Sequence, residues 1–453
     1  MNRAIREKAR STPVACEADV CVIGGGCTGT CAAVRAARMS AATVLVEMNG
    51  FLGGVATAGL VNIWHSLHDV KQREPIIGGL TAEIIDRLAR RDAVQHGESE
   101  NCAYVLNTEE LKIELDTLVS EARVRPFLHA RFVAPILSAP GTLEAIVIED
   151  KSGRRAIRAK QFIDATGDGD VIHRMGLPTV KRDDLQPPTC CAWIEGLGSV
   201  AKANPTFNLA HEVFNPAYPE ALPEGFLWTA QVPASADITM VSGTRVKRAD
   251  CSDADELTKA EIEGRRQVRA ILDILRNHVQ GGRAAFLRGL PAYIGIRETR
   301  HACCLHTLTE DELLRGVRFE DAIANGTYRV DIHHSDKPGL TFRYLDGGEE
   351  YVVPSKPPVQ GRWRPPGDDH ALFYQIPLRS LLPRGASNVL AVGRLIDADR
   401  GAYGAIRVMV NCNQTGEAAG AACALAAARG GAATEVPAAA VRAALCAGGA
   451  IIF

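Results

Sequence analysis

The stretch Val20-Cys21-Val22-Ile23-Gly24-Gly25-Gly26-Cys27-Thr28-Gly29 runs from an apolar strand through a glycine-rich turn into an alanine-rich helix. Gly24, Gly26 and Gly29 stand in G-x-G-x-x-G spacing, and a second apolar strand, Thr43 to Val46, ends at Glu47. Strand, turn, helix and strand in this order make the phosphate-cradling start of a dinucleotide-binding fold. Gly24 permits the tight turn, Gly26 lets backbone approach a pyrophosphate, and Gly29 lets helix and strand pack closely. The anion then meets free N–H groups at a helix N-terminus. Glu47 stands where a carboxylate would bind ribose hydroxyls. Because the same spacing occurs in ordinary glycine turns, the assignment depends on the rest of the chain.

From Asp19 to about Asp184 strands and helices alternate. Thr108 is expected to cap a helix with Leu111, Leu115, Leu118 and Val119 at helical spacing. Arg131 to Leu137, Leu143 to Glu149 and Ala156 to Ile163 read as a β-meander inserted in a parallel sheet. The segment from Gln186 to Leu382 has another texture, with many prolines, aromatics and short strands. Its clearest helix is expected to start near Ser252, with Asp255 as a capping-box variant, and to run with Val268, Ile271, Leu272, Leu275 and Val279 on one face. Prolines at 354, 357, 358, 365 and 366 predict a loop without regular structure. Asn388 to Gly393 reads as another buried parallel strand, followed by a helix from about Gln414. The expected fold is therefore α/β. A Rossmann-like domain with a parallel sheet and β-meander takes residues 18–185 and 383–430, an α+β substrate domain is inserted at 186–382, and a C-terminal tail follows at 431–453. The discontinuity brings residues near 25, 165 and 395 to one crevice.

Composition narrows the function classes. The 453 residues carry 51 Lys+Arg against 53 Asp+Glu, a net charge of −2 that gives no reason to expect a nucleic-acid partner. Met1 to Ala15 is basic and polar and does not read as a secretory signal. No apolar run reaches the ~18 residues of a membrane span. Thirteen cysteines, several inside apolar or helical segments, favour a reducing cytoplasmic setting. Cys190-Cys191 and Cys303-Cys304 are adjacent pairs, but no C-x-x-C spacing occurs and strand neighbours face opposite ways, so no metal site is expected.

Four separated segments combine: the turn at Gly24; Gly53-Gly54-Val55-Ala56-Thr57; Asp164-Ala165-Thr166-Gly167-Asp168-Gly169-Asp170; and Ala391-Val392-Gly393-Arg394 with Arg407 to Gly416 behind it. In this order the chain resembles the FAD-dependent oxidoreductases of the two-dinucleotide-binding flavoprotein superfamily, the wider group that holds the fumarate reductase and succinate dehydrogenase flavoproteins. The resemblance covers roughly Asp19 to Ala428 and departs at Val392, where the family usually places glycine directly after alanine and before arginine. It implies that FAD is the cofactor. Gly24, Gly26 and Gly29 would hold the pyrophosphate and Glu47 the adenosine ribose, with Gly53, Gly54 and Thr57 beside the flavin and its diphosphate. Val133 lies on the strand that meets adenine, Gly167 and Asp168 would flank the adenosine half, and Gly393 and Arg394 the ribityl chain. The run from Asn411 through Thr415 and Gly416 would open a helix whose free N–H groups face the pyrimidine edge of the flavin, where they stabilise its reduced state.

No second G-x-G-x-x-G follows a strand, so a built-in NAD(P)H domain is not expected. Cys27 and Cys31 are merely neighbours on a helical face, which disfavours a disulfide reductase. Arg300, in the cluster Arg297-Glu298-Thr299-Arg300-His301, would clamp a carboxylate or keto oxygen, or else form a structural ion pair with Glu298 or elsewhere. His333, in a family-like D-x-H run from Asp331, is either a proton acceptor or a hydrogen-bonded structural residue. Tyr403, Asp399 and Arg407 occupy the last loop, with Arg407 as charge partner of the reduced flavin or substrate. His65 and His68 are further groups able to face the ring. The expected activity is hydride transfer to or from a small organic molecule, with a separate electron donor or acceptor, no membrane partner and room for a homo-oligomer. A flavin monooxygenase using free NAD(P)H and oxygen, and a non-catalytic flavin-binding subunit, are the other readings.

Overall fold

The quoted stretch folds as a strand entering a turn and then a helix. In the computed structural model, which describes residues 5, 7–97, 103–222, 225–354, 356–367 and 369–453, β1 (Val14–Ile23) enters the turn and α1 (Cys27–Arg38) leaves it. Val20 to Ile23 are almost wholly buried, which an apolar strand with a neighbour on each edge requires. The other strands of the sheet are β2 (Thr43–Val46), β3 (Arg125–Phe127), β4 (Arg131–Ala139), β5 (Thr142–Asp150), β6 (Gly153–Asp164) and β7 (Val389–Ala391). Their order is β3-β2-β1-β6-β5-β4, with β7 also paired to β6. The β1, β2, β3, β6 and β7 pairings are parallel, whereas β4, β5 and β6 form the antiparallel meander.

The registers fix the site. Ile23 pairs with Val46 and Asp164, Val46 with Phe127, and Ala391 with Asp164, so five parallel strands end at one edge. Residues after 23, 46, 164 and 391 therefore leave the sheet into one crevice, as expected for a doubly wound sheet. Strand β6 carries β1 along one edge, while β5 and then β7 share the other. At this split the Asn388 side chain donates to Leu143 O (2.8 Å) and Lys160 O (2.9 Å) and accepts from Leu143 N (2.9 Å). It supplies the ladder bonds the diverging strands lack.

Helix α1 lies against α5 (Met409–Arg429), which is buried on nearly every side. Small residues allow this: a Cβ on Gly420 would stand 2.2 Å from Ala32 O. Between the helices Arg35 Nε donates to Glu417 Oε1 at 3.0 Å, and Glu417 Oε2 accepts Leu80 N at 3.1 Å.

The expectations for several elements are corrected here. The cap of α2 (Thr108–Glu121) is Asn107, whose side chain accepts from Glu109 N and Glu110 N, so Thr108 is the first helical residue. Asp253 caps α3 (Ala254–His278) by accepting from Asp255 N and Glu256 N, in place of Ser252. The proline-rich segment holds a strand, Val359–Arg362, paired antiparallel with Gly348–Val352. Six residues free of proline lie between Pro358 and Pro365, and an exposed edge strand tolerates flanking prolines. Helix α5 starts at Met409 rather than near Gln414, because α4 (Arg400–Ile406) and Arg407 turn the chain early.

Strands Trp228–Gln231, Ile238–Ser242, Ala192–Glu195 and Phe286–Gly289 form an antiparallel sheet in that order, and α3 shares a second core with it through Val268, Ile271, Leu272 and Leu275. Leu308, Ile323, Tyr374 and Ile376 instead join the core of α1 and α5, as do Val441 and Leu445 near the C-terminus. No described helix is long and apolar enough to cross a membrane.

Candidate active site and cofactor groove

Along the shared strand edge runs a groove of about 1350 Å³, its open mouth included. Its lining runs from Glu47 and the Gly24 turn past Asp168 and Arg394 to Arg407, which suits an extended molecule. Gly24, Gly26, Glu47, Gly53, Gly54, Gly167, Asp168, Gly393 and Arg394 all line it. The glycines divide by task. Gly24 has φ +104°, and a Cβ there would meet Ala165 O at 2.3 Å; a Cβ on Gly29 would meet Gly24 O at 1.8 Å. Those two glycines allow the turn itself. Gly26 has φ −61°, and the nearest atom to an added Cβ is Gly54 Cα at 3.8 Å, so the free space beside it belongs to a ligand. No side chain caps α1 at Gly26, which leaves its first amides for an anion.

Glu47 sits buried at the β2 end of the groove. Its Oε2 accepts Gly25 N at 2.6 Å and its Oε1 accepts Asn49 N at 2.8 Å. Burial raises its pKa against these hydrogen bonds. Asp168 Oδ1 accepts Arg394 Nη2 at 2.6 Å and Thr299 Oγ1 at 2.7 Å, which fixes the guanidinium on the groove wall. Burial lifts Asp164, at the end of β6, to about 6, although it accepts from Thr166, Val171 and Ile172.

Five residues expected at the cofactor stand behind the wall rather than on it. Gly29 serves the turn. Thr57 donates to Leu52 O at 2.6 Å, closing the Gly53-Gly54 bend from inside. Val133 is the bulged residue between the Phe132 and Ala134 pairings, and its carbonyl accepts from Arg174; Ala130, Arg131 and Phe132 face the groove in its place. Thr415 Oγ1 accepts Gly393 N at 3.1 Å, and a Cβ on Gly416 would meet Thr28 O at 2.1 Å, so both lock α5 to the groove turns. With α5 starting at Met409, Asn411 N and Cys412 N already donate to Val408 O. Met409 and Cys412 are the parts of this helix that line the groove.

Val55, Ala58, Tyr293, Ile296, Met409 and Arg407 also line the groove wall. Among the catalytic candidates, Arg407 alone reaches this wall, and the other three are corrected by their contacts. Arg300 donates to Asp168 O (3.2 Å), Asp170 Oδ1 (3.3 Å) and Ser252 O (3.0 Å), bracing the Gly167 turn, and makes no pair with Glu298. Glu298 is taken by Arg182 and by His301, the latter at 3.0 Å. Tyr403 is fully buried, its hydroxyl donates to Arg297 O at 2.6 Å, and burial raises its pKa. His333 lies behind Arg407 with Nε2 3.2 Å from Asp331 Oδ1, and its Nδ1 accepts Arg245 Nε at 3.3 Å. Burial lowers it to about 3, so it is neutral near pH 7 and a poor proton acceptor. His65 stacks on Tyr328 at 3.9 Å, is likewise held at about 3 by burial, and does not line the groove; nor does His68. Asp399 caps α4 by accepting Ala402 N at 2.9 Å. Burial pushes the Cys27 thiol up to about 12, which leaves it protonated.

Behind Arg407 the chain assembles a polar cluster that sequence reasoning missed. Arg407 Nη2 donates to Gln186 Oε1 (3.2 Å) and Asp331 Oδ2 (3.3 Å). Arg245 Nη1 donates to Thr189 Oγ1 at 2.9 Å, and Arg297 Nη1 donates to the same oxygen. Asp331, although buried, is held well below the usual carboxylate range by His333 and Arg407. The D-x-H run signalled Asp331; nothing local signalled Gln186 or Arg245.

Comparison with known proteins agrees with this geometry. The chain belongs to the FAD dependent oxidoreductase family, which matches residues 19–445. A curated relative, the mitochondrial dihydrolipoyl dehydrogenase of Schizosaccharomyces pombe, is 28% identical over 163 residues, covering 33% of this chain and 28% of the relative's length. Among solved structures, a geranylgeranyl bacteriochlorophyll reductase-like protein from Thermoplasma acidophilum shares 13% identity over 95% of this chain and 83% of its own, with a TM-score of 0.43. A flavin-dependent brominase shares 12% identity over 94% and 83%, with a TM-score of 0.44. Those activities belong to those proteins.

Proposed function

We propose that this FAD-dependent oxidoreductase carries out two-electron, hydride-transfer oxidation or reduction of a small organic molecule at the part of the groove lined by Arg407. The observation that supports this most directly is the single groove joining a phosphate cradle at Gly24 and Gly26 to a cationic, otherwise apolar wall. Bound FAD supplies the hydride-accepting or hydride-donating chemistry. The chain's residues bind and orient. Uncapped backbone amides at the start of α1 receive the pyrophosphate, Glu47 the ribose, and the Asp168–Arg394 pair the central part. Tyr293, Ile296 and Val55 exclude water from the reacting end, which strengthens electrostatic interactions there. The start of α5 and Arg407 place positive potential where negative charge gathers.

With Tyr403 and His333 engaged elsewhere, the proton that accompanies hydride transfer passes to or from water. The electron partner is a separate molecule, and the twelve free cysteines among the described residues suit a reducing cytoplasm. An anaerobic screen of small acids, alcohols and amines tests the reading. Bleaching of the flavin absorbance by one class is expected, whereas rapid NADPH-driven oxygen consumption would favour a monooxygenase. A flavin that stays oxidised against every donor would favour a binding subunit.

A further inference from the structure

Arg245, Arg297 and Arg407 come from three separate segments and meet around one carboxylate, Asp331. Glu298, the other acid nearby, is occupied by Arg182 and His301. Arg329, with its guanidinium 3.8 Å over the Phe342 ring, also acts on Asp331, and Glu350 supplies a further negative charge beside it. With Arg329 and Glu350 included, four guanidinium charges against two carboxylates leave two in excess, and the buried His333 adds none near pH 7. Buried like charges repel, and burial together with this repulsion depresses Arg297 well below an ordinary arginine.

The hydrogen bonds are also incomplete. Arg245 Nη2, Arg407 Nε and Gln186 Nε2 are buried and have no partner among the described residues. Arg245 is 6% exposed and Gln186 0%. Leaving such buried donors unmet is unfavourable. Yet the groups are held firmly: Thr189 Oγ1 takes both Arg245 and Arg297, His333 Nδ1 takes Arg245 Nε, and Gln186 Oε1 takes Arg407. Fixed, unpaired donors with surplus positive charge describe a receptor waiting for an anion.

We propose that Arg245, Arg407 and Gln186, with Arg297 behind them, bind the carboxylate of the substrate and so make small organic acids the substrate class. The proposal rests on the redox reading above, because Arg407 belongs to both the cluster and the groove wall. Planar guanidinium forks match a carboxylate in two-point fashion, which favours it over a spherical anion.

The FAD-loaded protein is titrated with acetate, pyruvate and succinate, each against its uncharged amide, and with inorganic phosphate. Binding is read by perturbation of the flavin absorbance and by calorimetry. At least one carboxylate is expected to bind saturably, with its amide weaker by about tenfold or more, the loss of one charge-assisted hydrogen bond. Arg245→Gln is expected to weaken that carboxylate by a similar factor while the FAD content is unchanged. Equal binding of acid and amide, no binding of any acid, or binding of phosphate alone overturns the proposal. The acid-against-amide comparison needs no variant and therefore survives misfolding of Arg245→Gln. A protein that takes up no FAD defeats the redox reading, and calorimetry on the flavin-free protein then still decides the carboxylate site.

Discussion

The glycine turn at Gly24–Gly29 and the arginine cluster around Asp331 offer opposite means of recognition. At the turn the work falls to backbone: positive φ, missing Cβ atoms and uncapped amides. In the cluster side chains do the work, and the charges there come from residues 245 to 407. Backbone recognition is compact and tolerates no atoms added inside the turn. Side-chain recognition is dispersed and depends on charge balance, so pH and single-charge changes reach it.

Five measurements would break or sharpen this contrast. Gly29→Val is expected to cost more than about 4 kcal/mol, because its side chain starts in Gly24 O; loss of the folded far-UV CD signal or a collapsed Tm checks it. Asp331→Asn removes the one carboxylate among three guanidiniums and is expected to cost about 3–5 kcal/mol in denaturant unfolding. Acidification comes next. His65 and His333 are held at about 3 and His334 at about 4, each first by burial, below the ordinary 6.5. The unfolded chain binds those protons first, so stability is complete above pH 6.5 and falls as pH drops toward 4. Each group contributes up to about 1.4 kcal/mol per pH unit, read as Tm against pH, and His333→Gln should flatten the slope. Asp164, raised to about 6 on the turn side, works with the opposite sign between about 4 and 6 and offsets one of the three.

Gly26→Ala separates fold from ligand. Its Cβ meets only the groove, so Tm should hold while FAD affinity drops about tenfold by fluorescence titration. An equal fall in Tm would mean that Gly26 belongs to the turn and not to the ligand. The smallest effect is expected at Asn107→Ala, about 1 kcal/mol for a lost cap at a position remote from both regions, with FAD binding unchanged.

The turn was legible in the sequence because its residues are neighbours and each glycine answers a local steric demand. The parallel edge was legible for the same reason: short buried runs such as Thr43–Val46 cannot be much else. For Arg300 and His333 the sequence left a catalytic and a structural role side by side, because it shows a side chain's chemistry but not its occupation; in the structure both, like Tyr403, are engaged by partners from distant segments. Gln186 and Arg245 were invisible because nothing local marks a residue whose importance comes from a charge 50 or more positions away. Asn107 displaced Thr108 as cap by one position, and helix boundaries shift that easily when neighbours are both able to accept.

Asn388 has one more consequence. Its amide ties the point where the chain re-enters the sheet to Leu143 and Lys160, two residues that precede the whole excursion from 165 to 387. Closing so long a loop costs only slowly more entropy as it lengthens. The excursion is thus mounted on a socket that does not measure its size. Exchanging or resizing the inserted module, in evolution or by design, should retune what the enzyme accepts while the nucleotide cradle keeps its shape.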